Sequence, residues 1–357
     1  MKKIIFIMSI VFNLHIFAKN IGGIIIYNSF ETNTTSMNIN SIKKQKTFIF
    51  LNPLYHTEIL KDSFKTLKPK LNIAIIINKK ILKKYLPSLI NSINVYLLNK
   101  NISYNLKVFD KDFIKKVAKN YNNIIIYSID VNKTIVNEYN NTKFYFPAIN
   151  KNDVNFSANN IYFGGIDYKE QIDKLSSFIT DKQAIAVTSN SFISKQLLKK
   201  EKEKIFIKEM KLPYINYDEF ENKFIFFNTS ARKTAWILSS LSNHINITTK
   251  LQLSAQINFD PLLIALTQPQ DVQKLIIANS LLNIPIVLED YNKILNSGIK
   301  YNWLNYSTNI LLNKIYNSST KGDEFYMNDF DTYIFDNQIN YKTKIYQIIE
   351  NSFREIY

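Results

Sequence analysis

The chain has 357 residues, 45 Lys and Arg against 29 Asp and Glu, a net charge of +16 and no cysteine. Without a thiol it can hold no disulfide, no thiolate metal site and no lipid-modified N-terminal cysteine, and its length suits two compact units better than one small core. The positive charge favours anionic partners in general, but the crowding of Lys, Asn, Ile, Tyr and Phe is also what an AT-rich genome produces without selection for binding.

The opening "MKKIIFIMSIVFNLHIFAKN" has Lys2 and Lys3, an apolar run from Ile4 and small Ala18 before Lys19, the pattern of a secretory signal peptide. Removing residues 1–18 leaves 339 of the 357 residues and lowers the charge from +16 to +14. The expected mature protein is soluble and periplasmic. The apolar run is shorter than the roughly 20 residues that span a membrane and no later stretch is longer, so no stable membrane span is expected. A retained N-terminal anchor is the alternative. Residues 19–69 read as an N-terminal extension without a clear pattern, including a Ser/Thr/Asn-rich piece at Thr32 to Ser41.

From residue 70 strands and helices alternate. "LNIAIIIN" is a continuous apolar, β-branched run of the kind covered on both faces in a parallel sheet. Leu86, Ile90, Ile93 and Leu97 follow at helical spacing. Next come the strand "YNLKVFD", a short helix from Asp112 to Lys119, and the strands "NIIIYSID" and "KFYFPAI". Gly164 and Gly165 mark a turn, taken as flexible or of positive φ, in a chain with six glycines. A second series begins with a helix carrying Ile172, Leu175 and Ile179, then the strand "QAIAVTSNS", a helix from Phe192 to Lys202, and the strands "KIFIKEMKL" and "KFIFFNTS". A helix from Ala231 to Leu241 and the strand "TTKLQLSAQINF" follow, then helical sequence from Leu262 to Leu282 broken at Pro269. Ile345, Ile349 and Ile356 predict a C-terminal helix, while the polar stretch Asn317 to Asp336 suggests no element. The Lys cluster "KQLLKKEKEK" reads as a solvated helix face rather than a nucleic-acid patch, and export argues against nucleic acid as well. The expected division is a signal peptide at 1–18, an extension at 19–69, one α/β lobe at 70–163, a second at 164–285, and a return to the first lobe with a C-terminal helix at 286–357.

Residues just beyond the carboxyl end of a parallel strand line the crevice where open α/β sheets bind ligands, and the helices that start there present free N–H groups. Asn78 and Lys79, Ser128 and Asp130, Ser189, Asn190 and Ser191, and Asn228, Thr229 and Ser230 occupy such places, with Ser254 and Gln256 as further candidates. The same residue types are the preferred helix N-caps, so capping is the competing reading at each position.

The segment "KFIFFNTSARKTAWILSSLSNHINITTKLQLSAQINFDPLLIALTQ", with the later "IKYNWLNYSTNILL", resembles periplasmic proteins of the type 1 periplasmic-binding-protein superfamily. Relatives there include the branched-chain amino-acid receptors and the lipoprotein activators of penicillin-binding proteins. The resemblance covers roughly Leu71 to Tyr316. It implies an α/β fold of two Rossmann-like lobes, parallel sheets flanked by helices, and a cleft between the lobes. It also implies a partner that is a small molecule or a cell-envelope protein, and no cofactor.

Chemistry of the chain's own is thinly represented. His56 and His244 are the histidines left after processing, "GGIDY" lacks the Gly-Lys-Ser/Thr ending of a phosphate loop, and Asp329 with Asp331 or Glu289 with Asp290 read as solvated acidic pairs. Neither a metal site nor an enzyme is expected. An acceptor rule for bacterial N-glycosylation, an acidic residue two before Asn and Ser or Thr two after, is met at Asn33, Asn132, Asn140 and Asn155. Asn33, in the least structured sequence, reads as the most accessible. The functional reading is a binding protein, receptor-like and without catalysis, or alternatively a periplasmic scaffold or regulator contacting a cell-wall enzyme.

Overall fold

The computed structural model describes residues 71–78, 84–127, 138–181, 183–244, 246–320, 322 and 324–356. In chain order the elements are β1 (Leu71–Ile77), α1 (Leu86–Asn99), β2 (Tyr104–Asp110), α2 (Ile114–Ala118), β3 (Asn123–Tyr127), β4 (Lys143–Phe146), β5 (Ile161–Phe163) and α3 (Tyr168–Ser176). They continue with β6 (Gln183–Thr188), α4 (Phe192–Lys202), β7 (Phe206–Lys211), β8 (Phe224–Asn228), α5 (Ala231–Ser242), β9 (Leu251–Ser254), α6 (Pro261–Leu266) and β10 (Leu275–Asn279). The last are α7 (Ile286–Ile294), α8 (Trp303–Thr320), β11 (Tyr326–Met327), β12 (Thr332–Phe335), β13 (Gln338–Asn340), β14 (Lys344–Ile349) and β15 (Ser352–Glu355).

These elements form two compact units. The first ends at Gly165 and resumes over Ile284–Ile339; the second holds Ile166–Asn283 and Asn340–Tyr357. The chain therefore passes between them three times. The sheet of the first unit has the order β11-β12-β13-β5-β4-β3-β1-β2 and that of the second β15-β14-β10-β9-β8-β6-β7. Among the described residues β1 pairs in parallel with β2 and β3, and β4 with β3 and β5. In the second sheet β7, β6, β8, β9 and β10 are parallel, and antiparallel β14 and β15 complete the edge.

The apolar runs are explained by burial on both faces. In β6 and β8, Ile185, Val187, Ile225 and Phe227 pack with Ala235 and Leu238 of α5, whereas Ala184, Ala186, Phe224 and Phe226 pack with Ile172 and Leu175 of α3 and Leu197 of α4. Successive residues of a strand face opposite ways, so a strand covered by helices on both sides must be apolar throughout. In the first unit Ala74, Ile76, Ile124, Ile126, Phe144, Phe146 and Phe163 form the equivalent core.

Several expectations are corrected. The C-terminal helix is instead the hairpin β14–β15, turning through Glu350 and Asn351 at φ 51° and 57°. A two-residue turn with both residues left-handed matches the twist of the flanking strands. The apolar residues that matter there are Ile345 and Ile348, both buried, while Ile349 is exposed. This hairpin lies in the second unit, not in a return to the first. Within Leu262 to Leu282 the stretch from Pro269 is not a second α-helix: a 3-10 turn over Pro269–Val272 leads into β10, whose "LIIAN" is buried throughout between β9 and β14. In "TTKLQLSAQINF" the strand stops at Ser254 and Gln256–Asn258 forms a 3-10 turn. Gly165 is required by close approach rather than by positive φ, because a Cβ there would sit 2.2 Å from Asn150 N.

Candidate functional site

The parallel strands of the second unit bring their carboxyl ends to one edge of its sheet, and the polar residues there are mostly bonded to one another. After β6, Ser191 caps α4 by accepting from Ser194 N at 3.2 Å, and Ser189 Oγ donates to Ser191 Oγ at 3.2 Å. Ser194 Oγ in turn accepts from Ser189 N at 2.8 Å. Asn190, between the two serines, is exposed.

After β8 the three neighbours diverge. Asn228 is fully buried and its Nδ2 donates to Glu201 Oε2 of α4 at 2.8 Å. Thr229 is also buried, its hydroxyl 2.7 Å from that of Thr234. Ser230 is the N-cap residue of α5, yet its side chain makes no capping hydrogen bond and is exposed. Thr188 of β6 pairs in register with Asn228 of β8, so Asn190 and Ser230 each lie two residues beyond a matched pair of adjacent strands.

Beyond β9 and β10 a buried network closes the edge. Ser254 Oγ donates to Phe227 O at 2.9 Å, and Asn258 Nδ2 reaches Ser254 Oγ at 2.7 Å and Phe227 O and Thr229 O at 3.2 Å. Gln256 Oε1 accepts from Gln171 Nε2 at 3.1 Å and from Ser280 N at 3.2 Å, while Gln171 Oε1 accepts from Gln256 N at 3.0 Å. Ser280 Oγ then lies 3.0 Å from Thr343 Oγ1, which ties the loop before β14 to the cluster.

Glu201 is the most perturbed group at this edge. Burial pushes its carboxyl up to about 8, partly offset by the hydrogen bond from Asn228. Neither Glu201 Oε1 nor Asn228 Oδ1 has a hydrogen-bond partner among the described residues. With the carboxyl protonated, Glu201 gains the donor that Asn228 Oδ1 lacks, so a neutral acid beside an amide is the state that suits this pocket.

In the first unit Asn78, at the end of β1, is half-buried and engaged in contacts of its own. Lys79, Ser128 and Asp130 lie outside the described residues, as do Asn33, Asn132 and His56. Asn140 and Asn155 are both exposed. The remaining motif residues resolve into ordinary surroundings: His244 stacks on Tyr217 with ring centroids 4.6 Å apart. Asp329 accepts from Lys100 Nζ at 2.7 Å, Tyr96 OH at 2.8 Å and Asn313 Nδ2 at 2.9 Å, Asp331 accepts from Tyr326 OH at 2.5 Å, and Glu289 lies 2.8 Å from Lys293. Among the described residues no group of three or more His, Cys, Asp or Glu is placed to hold a metal, and no helix is long and apolar enough to cross a membrane.

Among the members of the cluster that the sequence reading passed over are Glu201 and Gln171. Both carried a signal. Gln171 adjoins Ile172 in the buried stripe of α3, and Glu201 falls four residues after Leu197, so helical phase turns each inward. The reading of "KQLLKKEKEK" as wholly solvated is corrected at that residue.

No protein-family model and no curated protein matches the sequence. Solved structures do. The isoleucine-bound LivJ substrate-binding protein of Streptococcus pneumoniae matches with a TM-score of 0.56 at 8% identity, over 79% of this chain and 97% of that one. A solute-binding protein of Rhodopseudomonas palustris BisB5 in complex with 3,4-dihydroxybenzoic acid gives 0.57 at 12% identity, over 80% and 95%. The fold is that of the type 1 periplasmic binding proteins. Haemophilus influenzae LpoA shares it, with a TM-score of 0.54 at 9% identity over 85% of this chain and 61% of LpoA. Among the described residues, the strand ends of the second unit combine exposed polar residues with helix N-termini, at Asn190 before α4 and at Ser230 before α5.

Proposed function

We propose that the chain is an exported, non-enzymatic binding protein of the cell envelope that closes its two units around a small molecule or signal. The observation that carries this reading is that exposed Asn190 and Ser230 each lie two residues beyond a register-matched pair on adjacent strands, beside the start of a helix. Free N–H groups at two helix N-termini favour an anionic group. Ser189, Ser191, Asn228, Thr229 and Gln256 are the proposed remainder of the edge, and Asn78, Lys79, Ser128 and Asp130 are the proposed contribution of the first unit. Closure would follow from the ligand's higher affinity for the closed form.

Native mass spectrometry of protein purified from a periplasmic extract tests this reading, together with thermal shifts in isoleucine, valine and 3,4-dihydroxybenzoate. A retained adduct or a shift is expected, and in Asn190→Ala/Ser230→Ala it should weaken by about 1–3 kcal/mol without a fall in melting temperature. The intact mass of the same material should correspond to cleavage at or near Ala18. A mass that still includes Met1 to Ala18 would replace export of a soluble protein with an N-terminal anchor.

One observation favours the second reading, a scaffold or regulator contacting a cell-wall enzyme. Asn228, Thr229, Ser254 and Gln256 spend their side chains on partners inside the unit rather than presenting them outward. Absence of any adduct or shift, combined with specific in-cell crosslinks from Asn190 or Ser230 positions to an envelope protein, would decide for that reading.

A further inference from the structure

Asp153-Val154-Asn155-Phe156-Ser157 connects the 3-10 turn Lys151–Asp153 to β5. Its side chains alternate. Val154, Phe156 and Ala158 are half-buried against the core of the first unit, and the ring of Phe156 meets Phe146 at 5.8 Å and Phe163 at 5.9 Å. Asp153, Asn155 and Ser157 are exposed. Val154 is extended at φ −132° and ψ 153°, between the 3-10 turn that ends at Asp153 and a bend at Asn155. The acidic, amide and hydroxyl positions of the acceptor rule are thus all solvent-exposed.

The same motif around Asn140 is presented differently. Glu138 and Asn140 are exposed, but Thr142 is 4% exposed and its hydroxyl donates to Ala118 O at 2.9 Å and lies 3.3 Å from Tyr121 O. An enzyme that must contact the hydroxyl two residues after the asparagine meets it locked inside the folded unit.

We propose that Asn155 is a site of N-linked glycan transfer on the folded protein, and that Asn140 becomes an acceptor only before folding. The donor class is a polyprenyl-diphosphate-linked oligosaccharide and the catalyst a membrane oligosaccharyltransferase. The bond from the anomeric carbon to the diphosphate oxygen breaks, its electron pair leaving with the diphosphate, and a bond from that carbon to Asn155 Nδ2 forms. Nδ2 gives up one proton, taken up in balance by the released lipid diphosphate, and retains the other. In cells this inference rests on export, the first half of the proposed function.

The test is a reaction of folded, purified protein with a purified bacterial oligosaccharyltransferase and its lipid-linked oligosaccharide, read by site-resolved mass spectrometry. Synthetic peptides spanning residues 136–144 and 151–159 run in parallel. The expected result is glycan at Asn155 with at least about tenfold higher occupancy than at Asn140 in the folded protein, since exposing Thr142 needs local opening of the core. The two peptides should react comparably. Asn155→Gln and Ser157→Ala should abolish the modification, and Asn140→Gln should leave it unchanged. Modification at Asn140 in preference to Asn155, or a folded protein left unmodified at Asn155 while its peptide reacts, overturns the proposal, as does an unreactive 151–159 peptide. The reaction needs no export, so failure of the export reading shows separately, as an uncleaved mass in the extract.

Discussion

The α1–α8 pair of the first unit buries its polar side chains along a seam between two helices, whereas the second unit buries its own at the ends of its strands. In the seam Asn305 Nδ2 donates to Ser88 Oγ at 3.1 Å, Asn309 Nδ2 to Ser92 Oγ at 2.7 Å and Asn313 Nδ2 to Tyr96 OH at 2.7 Å, each across 217 residues of sequence. A constant offset over steps of four means that two helices running in the same direction present one residue per turn to each other. At the strand ends the partners have no such period: Asn228 meets Glu201, Gln171 meets Gln256, and Ser280 meets Thr343. The seam spreads its polar groups over several turns with alternative partners close by. The strand-end cluster concentrates an ionisable acid on a single donor.

The largest expected effect follows from that acid. The folded chain holds the Glu201 proton up to about pH 8, while the unfolded carboxyl releases it near its ordinary 4.5. Stability should therefore be full below pH 4.5, fall as pH rises through this window, and level off above pH 8, a loss on the order of 5 kcal/mol at most. Glu201→Gln, which supplies the acceptor and the missing donor together, should flatten the dependence in urea titrations between about pH 4 and pH 9, which bracket the window. A wild-type profile as flat as the variant's would remove the acid from the comparison.

Asn228→Ala comes next. It strips the donor from a fully buried carboxyl and should cost about 3 kcal/mol at neutral pH, measured by denaturant unfolding. Asn313→Ala should cost less, about 2 kcal/mol, because Tyr96 and Asp329 keep each other at 2.8 Å and Asp329 keeps Lys100 at 2.7 Å. If Asn313→Ala proves the more damaging of the two, redundancy does not distinguish the seam from the strand ends. The smallest effect is reserved for Ser230→Ala, under about 0.5 kcal/mol, since its side chain makes no capping bond although it stands at the N-cap. A loss nearer 1 kcal/mol would restore Ser230 as a conventional cap and weaken its role in binding.

Much of the architecture could be read in advance because it rests on local rules. The runs "LNIAIII", "AIAVT" and "FIFFN" are apolar on both faces, and only a covered, mainly parallel sheet buries them. Helices α1 and α3 followed from residues spaced by three and four. The failures share a cause: in "LIIAN" and "KIYQII" the apolar residues suit either period, and the choice was made by the place waiting beside β9 and β10. At the candidate edge, the sequence showed which residue types gather after each strand but not which way each turns. Asn228, Thr229 and Ser230 are consecutive and chemically alike, yet two are buried and one is exposed.

Taken alone, the sequence determined the export signal pattern, the alternation of strand and helix, and the set of polar residues collected at strand ends, because each depends on neighbours a few positions apart. Only the tertiary structure decided that Glu201 sits in the core against Asn228, that Gln171 and Gln256 are spent on each other, and that Asn190, Ser230 and Asn155 remain exposed. Those outcomes depend on partners 27 to 85 residues apart or on which face of a strand or loop meets the core. Burial and hydrogen-bond satisfaction are set by the whole packed unit rather than by local propensity.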